Sequence, residues 1–452
     1  MGGMRDEWRK HLGARMPRYT SYPSALAFTG AVGAAEQAVR LSALPLYEPL
    51  SLYVHSPFCR SLCWYCGCNM RVENHYERAL RYVSALQKEF GIIAGFMGGA
   101  GRVRSVHFGG GTPNYFAVDE IADILHAIEC EFGLTDDARL AIELDPRLVK
   151  GDDVAALAGL GFGRISVGVQ DFNPEVQRAI NRMQEYDMVE RVVCDARAAG
   201  VDDLSFDILY GLPKQTLQSF DDTLKTAIAL APDRISMFGY AHAPAATPRQ
   251  RLIDAAALPD ALLRAELALL ADRRLIAAGY RRIGFDHYAR PENPLAAADR
   301  AGRLKRNFQG FTDDPGTTTI GFGLSAISTL GDLIVQNEKS LGAYYDRIAA
   351  GVSPAARGVV RAQAELTIGG AIMELLCRGE TTLAPVFAAM TEEARVSARA
   401  ELSRLERDGL AVVAEGRLQV PAEARLLSRL VAAAIDPCVT TPATANRLAP
   451  AV

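Results

Sequence analysis

The sequence predicts an α/β fold, a partial (β/α)6 barrel with an N-terminal extension and a mostly helical, winged-helix-like C-terminal domain. Three observations point to it. Between residue 50 and about 290, six strand-like runs alternate with amphipathic helical runs, the pattern of repeated βα units. Those strand-like runs are nearly continuous in apolar residues, as strands covered on both faces tend to be. Beyond residue 290 the alternation stops.

The strand runs are LSLYVHS, VRSVHFGG (103–110), RLAIELDP (139–146), RISVGVQ (164–170), LSFDILYG (204–211) and RISMFGYA (234–241), each rich in β-branched and aromatic residues and followed by a turn signal. Between them, segments such as HYERALRYVSALQKEFGIIAGF and EYDMVERVVCDARAAG repeat apolar residues at helical spacing, some closing on a glycine suited to a C-cap. Right-handed crossovers would point every strand the same way, so function is expected at the strands' C-terminal ends. The chain then divides into an N-terminal extension or lid (1–49), the barrel (50–290), a Gly/Pro-rich substrate-side loop region (291–337) and a helical C-terminal domain (338–452). In the last, TEEARVSARAELSRLERDGLAVVAEGRLQVPAEARLLSRLVAAAI reads as helix, two short strands and helix.

Of the 452 residues, 49% are hydrophobic and 23% charged, enough for a large core. The net charge of -4 offers no basic field, so no nucleic-acid partner is expected. The opening residues lack the apolar stretch of a signal peptide, and no uncharged apolar run reaches the roughly 18 residues of a spanning helix. A cytoplasmic protein without a membrane span is the expectation.

Eight cysteines in such a chain argue for metal or redox chemistry rather than disulfides. Cys59, Cys63, Cys66 and Cys68 crowd one loop, while Cys130, Cys194, Cys377 and Cys438 are scattered through apparently helical sequence and are expected as small buried fillers. A CxxxCxxC loop directly after a strand can put Cys59, Cys63 and Cys66 on three corners of a [4Fe-4S] cluster and leave one iron without a protein ligand. That iron can chelate the amino and carboxylate groups of S-adenosylmethionine (SAM), whose reductive cleavage releases a 5′-deoxyadenosyl radical. A zinc site completed by Cys68 or His55 and a set of unligated core cysteines are the competing readings, although the spacing is not that of paired CxxC hooks.

Other strand ends carry polar or glycine residues that an apolar barrel would not need. FGGGTPN offers Gly109, Gly110 and Gly111 for close backbone approach, and a Thr112 hydroxyl. Glu143, Gln170 and Asp207 close successive strands, and Arg182 follows in NRMQ. Each has an alternative reading as a cap, a tight turn or a surface pair.

Taken in order, YVHSPFCRSLCWYCGC, FGGGTPN, IELDP, VGVQDFN, INRMQ, DILYGLPKQT, YAH and RNFQGFT resemble the oxygen-independent coproporphyrinogen III oxidases, also called coproporphyrinogen dehydrogenases. The match runs over nearly the whole chain and includes PRYTSYPSA at 17–25. The resemblance implies a radical SAM barrel holding two SAM molecules, and oxidative decarboxylation of two propionates of coproporphyrinogen III to vinyls, giving protoporphyrinogen IX for haem. Carried over by motif, Tyr53, Gly110, Glu143 and Ile327 would contact the cluster-bound SAM. Tyr65, Gly111, Thr112, Gln170, Arg182, Asp207 and Ala241 would line the second SAM site.

Tyr65 stands where the family often has Phe, and Cys68 is not expected to ligate the cluster. No catalytic side chain beyond cluster and SAM is implied. Arg18, Arg182, Lys305 and Arg306 are candidates for the substrate's carboxylates, and Phe308, Gln309 and Gly310 for shaping its side of the site. An unidentified electron donor and acceptor, and a monomeric chain, complete the expectations. A related haem chaperone and a haem-opening radical SAM methyltransferase share much of this pattern, and a zinc- and nucleic-acid-binding regulator is the reading from a different class.

Overall fold

The computed structural model describes residues 5–314, 316–439 and 449–450. Six strands, β1 (Pro49–Ser56), β2 (Arg102–Gly110), β3 (Leu134–Leu144), β4 (Phe162–Gln170), β5 (Asp203–Tyr210) and β6 (Arg234–Gly239), lie side by side and all parallel. The main helices between them are α1 (Glu77–Met97), α2 (Val118–Phe132), α3 (Asp153–Gly159), α4 (Tyr186–Ala198) and α5 (Leu217–Ala229), and α6 (Ala261–Ala277) follows β6. This is the predicted partial (β/α)6 barrel.

The two faces of these strands differ in a way their overall apolarity conceals. Leu52, Val54, Val106, Phe108, Ile142, Ile165, Val167, Phe206, Ile208 and Ile235 form the face buried in the continuous apolar core with the helices. The alternate face carries polar and small groups in register. Tyr53 pairs with His107, Glu143 with Ser166, Gly168 with Asp207, and Asp207 with Ser236. Because side chains alternate along a strand, these groups share the inner face, and the barrel has a polar lumen rather than a filled core.

The segment 291–337, expected as an irregular loop region, is mostly regular structure. Just before it, a hairpin of β7 (Arg281–Ile283) and β8 (His287–Ala289) extends the sheet beyond β6. A second hairpin, β9 (Lys305–Asn307) and β10 (Gly310–Thr312), stands apart from the main sheet. Then β11 (Thr318–Phe322) joins β1 in parallel on its free side, and β12 (Ile327–Leu330), β13 (Leu333–Asn337) and β14 (Ala355–Val360) continue as an antiparallel meander. The order is β7-β8-β6-β5-β4-β3-β2-β1-β11-β12-β13-β14 in one 12-stranded sheet, so the sheet crosses the expected boundaries at 290 and 337 without a break.

The separate hairpin reaches into the lumen. Phe308 at its tip meets Tyr53, and Gly310 lies against the His287 ring. The chain leaving it places Asp314 on the hydroxyls of Ser51 and Ser105 at 2.6 and 2.7 Å. Asp313 pairs with Arg139 at 2.6 Å and with Arg234 at 3.1 Å, and Asp203 is the second partner of Arg234. Ser51, Asp203 and Arg234 sit near the beginnings of their strands, and Ser105 and Arg139 lie in register with Ser51, so the acidic pair plugs the end of the barrel remote from the strand C-termini. The charges tolerate this position because Asp313, Asp203 and Arg234 are ion-paired and Asp314 is hydrogen-bonded by Ser51, Ser105 and the Gly316 N–H.

The C-terminal part has the predicted winged-helix-like order: α7 (Gln363–Arg378), α8 (Glu392–Arg407), the strand pair Val412–Ala414 and Arg417–Gln419, and α9 (Ser428–Ala434). A third strand, Glu380–Thr382, completes a small sheet. The N-terminal extension is laced to this domain. Trp8 donates to the Asp408 carbonyl at 2.9 Å, His11 contacts the Asp408 carboxylate at 2.8 Å, and the Tyr19 hydroxyl donates to Asp436 at 3.0 Å.

Candidate active site

The cysteine loop leaves the C-terminal end of β1 and is held by its neighbours at every stage. At its base Phe58–Cys59 pairs with Arg71–Val72. His55 Nε2 bonds the Asn69 carbonyl at 2.9 Å, Asn181 donates to the Leu62 carbonyl at 2.7 Å, and Trp64 N donates to the Ile180 carbonyl at 2.9 Å. Gln250 donates to the carbonyls of Tyr65 at 2.9 Å and Ala241 at 3.2 Å, so two residues expected at the second SAM site share one amide. Trp64 and Tyr65 rest against a small apolar cluster of Val176, Ile180, Leu212, Tyr240 and Ile253.

The three cysteines have different surroundings. Buried Cys63 accepts from Arg147 Nη2 and from Arg182 Nη1, both at 3.6 Å. Cys59 Sγ lies 3.2 Å from Thr112 Oγ1, and burial pushes its thiol up to about 12. Hydrogen bonding from Cys68 brings Cys66 down to about 6. Cys59 feels the charges of both Cys63 and Cys66, so the three lie within electrostatic range. Among the described residues, however, no three His, Cys, Asp or Glu side chains converge as they would around one ion.

Three cysteines at CxxxCxxC spacing in one loop at a strand end suit three corners of a cluster. Two guanidiniums on Cys63 also favour an anionic thiolate-bound group. The residues present therefore fit a [4Fe-4S] cluster. Cys68 is exposed, and its backbone N–H donates to Cys66 Sγ at 3.4 Å, a role that needs no metal.

Around the loop, the polar lumen gathers most of the residues singled out in the sequence. Tyr53 stacks on His107 at 6.0 Å between centroids and donates to or accepts from His55 Nδ1 at 3.1 Å. His107 reaches Glu143 at 3.1 Å, and the Gly110 N–H donates to the same carboxylate at 3.3 Å. Against the cost of burial, these partners hold Glu143 below the ordinary carboxylate range, so it stays ionised. Burial and then the Glu143 charge push Asp207 up to about 6. Ser166 donates to Asp207 at 3.2 Å.

Gly110 has φ +115°, and a Cβ there would lie 2.5 Å from the His55 ring. A Cβ at Gly111 would meet the carbonyl oxygens of Ser56 and Phe58 at 2.9 and 3.0 Å. The glycine run is thus required by close approach to the cysteine loop. Thr112 is buried, with its carbonyl accepting from Ser56 Oγ at 3.1 Å.

Gln170 ends β4 with φ +66°, a conformation costly for a residue with a side chain and commonly retained at functional positions. A buried lattice fixes the segments that follow it. Asp171 accepts from Gln215 at 2.6 Å and Thr223 at 2.8 Å, and Gln177 donates to the carbonyls of Asp171 and Gln184. VGVQD, INRMQ and GLPKQT are therefore one hydrogen-bonded unit. Ile327 begins β12 beside Gly321, which itself pairs with Tyr53.

The carboxylate-binding candidates separate. Arg182 turns inward to Asp145 at 3.2 Å and the Gly168 carbonyl at 2.7 Å. Lys305 donates to the Gly316 carbonyl at 2.9 Å. Arg306 donates to the carbonyls of Tyr19 and Arg18, both at 3.2 Å, and so pins PRYTSYP beside the mouth. Arg18 itself is exposed there.

Sequence reasoning named His55 only as a possible zinc ligand and passed over His107, Arg147, Asn181, Arg249 and Gln250. Alternation within β1 and β2 places the two histidines beside Tyr53 and Gly109, a usable signal, and Arg147 directly follows IELDP. Arg249, which donates to the Cys68 carbonyl at 3.0 Å, and Gln250 lie in an unpatterned segment and gave no local cue.

Comparison with known proteins identifies the class. Residues 53–227 match the model of the radical SAM superfamily, the span from Tyr53 in β1 into α5. The chain is 40% identical to the oxygen-independent coproporphyrinogen III oxidase of Bradyrhizobium diazoefficiens, over 93% of this chain and 94% of that one. It is 40% identical to the protein of that name from Escherichia coli, over 93% and 92%. A solved structure described as coproporphyrinogen III oxidase (HemN) from Escherichia coli, a radical SAM enzyme, superposes with a TM-score of 0.87 at 38% identity, covering 93% of this chain and 97% of that chain. The chain belongs to the oxygen-independent coproporphyrinogen III oxidase family, and as a radical SAM enzyme it uses a [4Fe-4S] cluster and SAM.

Proposed function

We propose that this chain oxidatively decarboxylates two propionates of coproporphyrinogen III to vinyls without oxygen, yielding protoporphyrinogen IX. Supporting this is the contact of Phe308 with Tyr53, ring centroids 4.7 Å apart at 80°, which brings RNFQGFT into the lumen beside the cofactor-side residues. Relatives of nearly equal length carry the corresponding name.

When bound, the cluster and SAM supply one-electron cleavage of a carbon–sulfur bond, and with it removal of hydrogen from an unactivated propionate carbon. The protein's own contribution is placement and exclusion of water. Cys59, Cys63 and Cys66 hold the cluster. Tyr53, Gly110, Glu143 and Ile327 contact the SAM on it, with ionised Glu143 accepting hydrogen bonds. Tyr65, Gly111, Thr112, Gln170, Arg182, Asp207 and Ala241 line a second SAM molecule, where Arg182 is held by the Gly168 carbonyl and Asp145.

The electron donor and acceptor come from outside the chain, which acts as a cytoplasmic monomer. Among the described residues no helix is long and apolar enough to cross a membrane. An anaerobic assay tests the reading: reconstituted protein, SAM, a reductant and coproporphyrinogen III should yield a product with two propionates replaced by vinyls. A product that keeps all four propionates while 5′-deoxyadenosine accumulates would overturn the substrate assignment.

A further inference from the structure

The cysteine loop comes within one strand of solvent at its base. Arg71–Val72 pairs with Phe58–Cys59 in a two-stranded sheet, with Val72 opposite Cys59, and Glu73 N donates to the Cys59 carbonyl at 3.0 Å. Val72 is 39% exposed, so the backbone of one cluster-holding cysteine lies about one strand spacing, ~4.8 Å, from an open edge.

Four exposed arginines surround that edge. Arg60 directly follows Cys59 and lies over the Tyr115 ring at 4.7 Å, and the Tyr115 hydroxyl donates to the Glu73 carbonyl at 2.9 Å. Arg71 belongs to the edge strand. Arg78 and Arg81 stand on the solvent face of α1, where Arg81 lies over the Tyr345 ring at 4.3 Å. Arg71, Arg78, Arg81 and Tyr345 line one cleft with Leu341 and Gly342.

Pairing does not withdraw these cations from solvent. Buried Glu73 lies 2.9 Å from Arg78 and 3.9 Å from Arg71, yet the two arginine side chains remain 56% and 44% exposed. Arg60 and Arg81 stack on rings, contacts that use the face of a guanidinium and not its N–H fork. The charges acting on Tyr345 are Arg81, Arg71 and Glu73, and those acting on Tyr115 are Arg60, Glu73 and Glu77, so cations outnumber carboxylates across the patch. In a chain of net charge -4 this is a local reversal of sign. Exposed Val72 and Leu80 add apolar contact within it.

Resting on the external electron donor proposed above, we infer that Arg60, Arg71, Arg78 and Arg81, with Val72 and Leu80, form the docking surface for an acidic one-electron carrier protein that reduces the cluster. SAM and substrate fill the lumen when the enzyme is loaded, so a protein donor has to approach from outside the barrel, and α1 is part of that outer layer. One electron leaves the carrier and enters the cluster; no bond is made or broken and no proton moves. Redox encounters of this kind are small and are steered by opposite charge more than by buried area.

Anaerobic stopped-flow mixing of the reconstituted chain with a reduced, acidic flavodoxin tests this inference through the rate of cluster bleaching. The wild-type second-order rate constant should fall at least about tenfold between about 0.05 and 0.3 M salt. The double variant Arg71→Gln/Arg81→Gln should be at least about tenfold slower at low salt, and Arg71→Lys/Arg81→Lys should stay within about threefold of the wild type. Reduction by the methyl viologen radical, a small cation, should not be slowed in either variant, and iron content and SAM affinity should match the wild type.

An unchanged flavodoxin rate in the glutamine variant, or a wild-type rate indifferent to salt, would overturn the inference. So would a wild-type cluster that viologen reduces and flavodoxin does not. Equal slowing with flavodoxin and viologen would overturn it too, since the arginines would then act on the cluster itself. Each of these results leaves the proposed decarboxylation standing, because turnover driven by reduced viologen tests that reading separately.

Discussion

The guanidinium of Arg182 bridges Cys63 and Asp145, donating through Nη1 to the sulfur at 3.6 Å and to the carboxylate at 3.2 Å. It couples the cysteine loop to the end of β3 before any cofactor is considered. Despite burial, Arg182 and then Arg147 hold Asp145 at about 2. Replacing Arg182 by Gln leaves Asp145 with Arg147 as its cation, so a loss of about 2 kcal/mol is expected, less than for a fully orphaned buried charge. Denaturant unfolding measures this, and the variant should also show reduced SAM affinity at full iron content.

Gly110→Ala should be among the most damaging single-methyl additions. Its positive φ and its approach to the His55 ring combine backbone strain with a clash, together about 2–4 kcal/mol. Because His55 also holds the Asn69 carbonyl, the disturbance passes into the cysteine loop. The expected result is a lower Tm together with impaired cluster reconstitution.

Phe308→Ala removes an edge-on ring contact worth about 1 kcal/mol beyond its buried area. The hairpin remains anchored through Asp313 and Asp314, so stability should change modestly while turnover of coproporphyrinogen falls by about tenfold or more. Isothermal titration should find SAM affinity within a factor of about two of the wild type. A stability loss with normal turnover would assign Phe308 a packing role alone.

Glu89 gives a pH signature away from the active site. It is fully buried and accepts from Tyr344, Gly323 N and Asn337, yet burial outweighs these donors and pushes it up to about 7 from an ordinary 4.5. A carboxyl raised on folding contributes stability that is complete below about pH 4.5 and is lost as pH rises through 7. The contribution amounts to about 3 kcal/mol. Glu89→Gln should abolish this slope, so the two unfolding curves diverge between pH 4.5 and 7 and run parallel above it.

What could be read from the chain, and what could not, follows from the range of the interactions. β1 to β6 declare themselves because each is a local run of β-branched and aromatic residues closed by a turn. Their inner residues, Tyr53, Glu143, Gln170 and Asp207, declare themselves as polar breaks in those runs. The Gly-rich segment from 316 to 323 looks like a loop, since Gly321 and Gly323 break the local pattern. It becomes β11 because Thr318 to Phe322 finds Leu50 to Val54, a partner more than half the chain away. The lumenal polarity of the barrel and the acidic plug of Asp313 and Asp314 depend in the same way on distant Ser51, Ser105 and Arg234.

The central claim is that Cys59, Cys63 and Cys66 hold a cluster with one iron left for SAM. Its most direct measurement is iron and acid-labile sulfide content on the anaerobically reconstituted chain, joined to the electron paramagnetic resonance spectrum of the reduced protein with and without SAM. The account predicts about four iron and four sulfide per chain, a spectrum that shifts when SAM is added, and loss of both in Cys63→Ala. A chain that takes up zinc without sulfide, or a cluster spectrum indifferent to SAM, would contradict it.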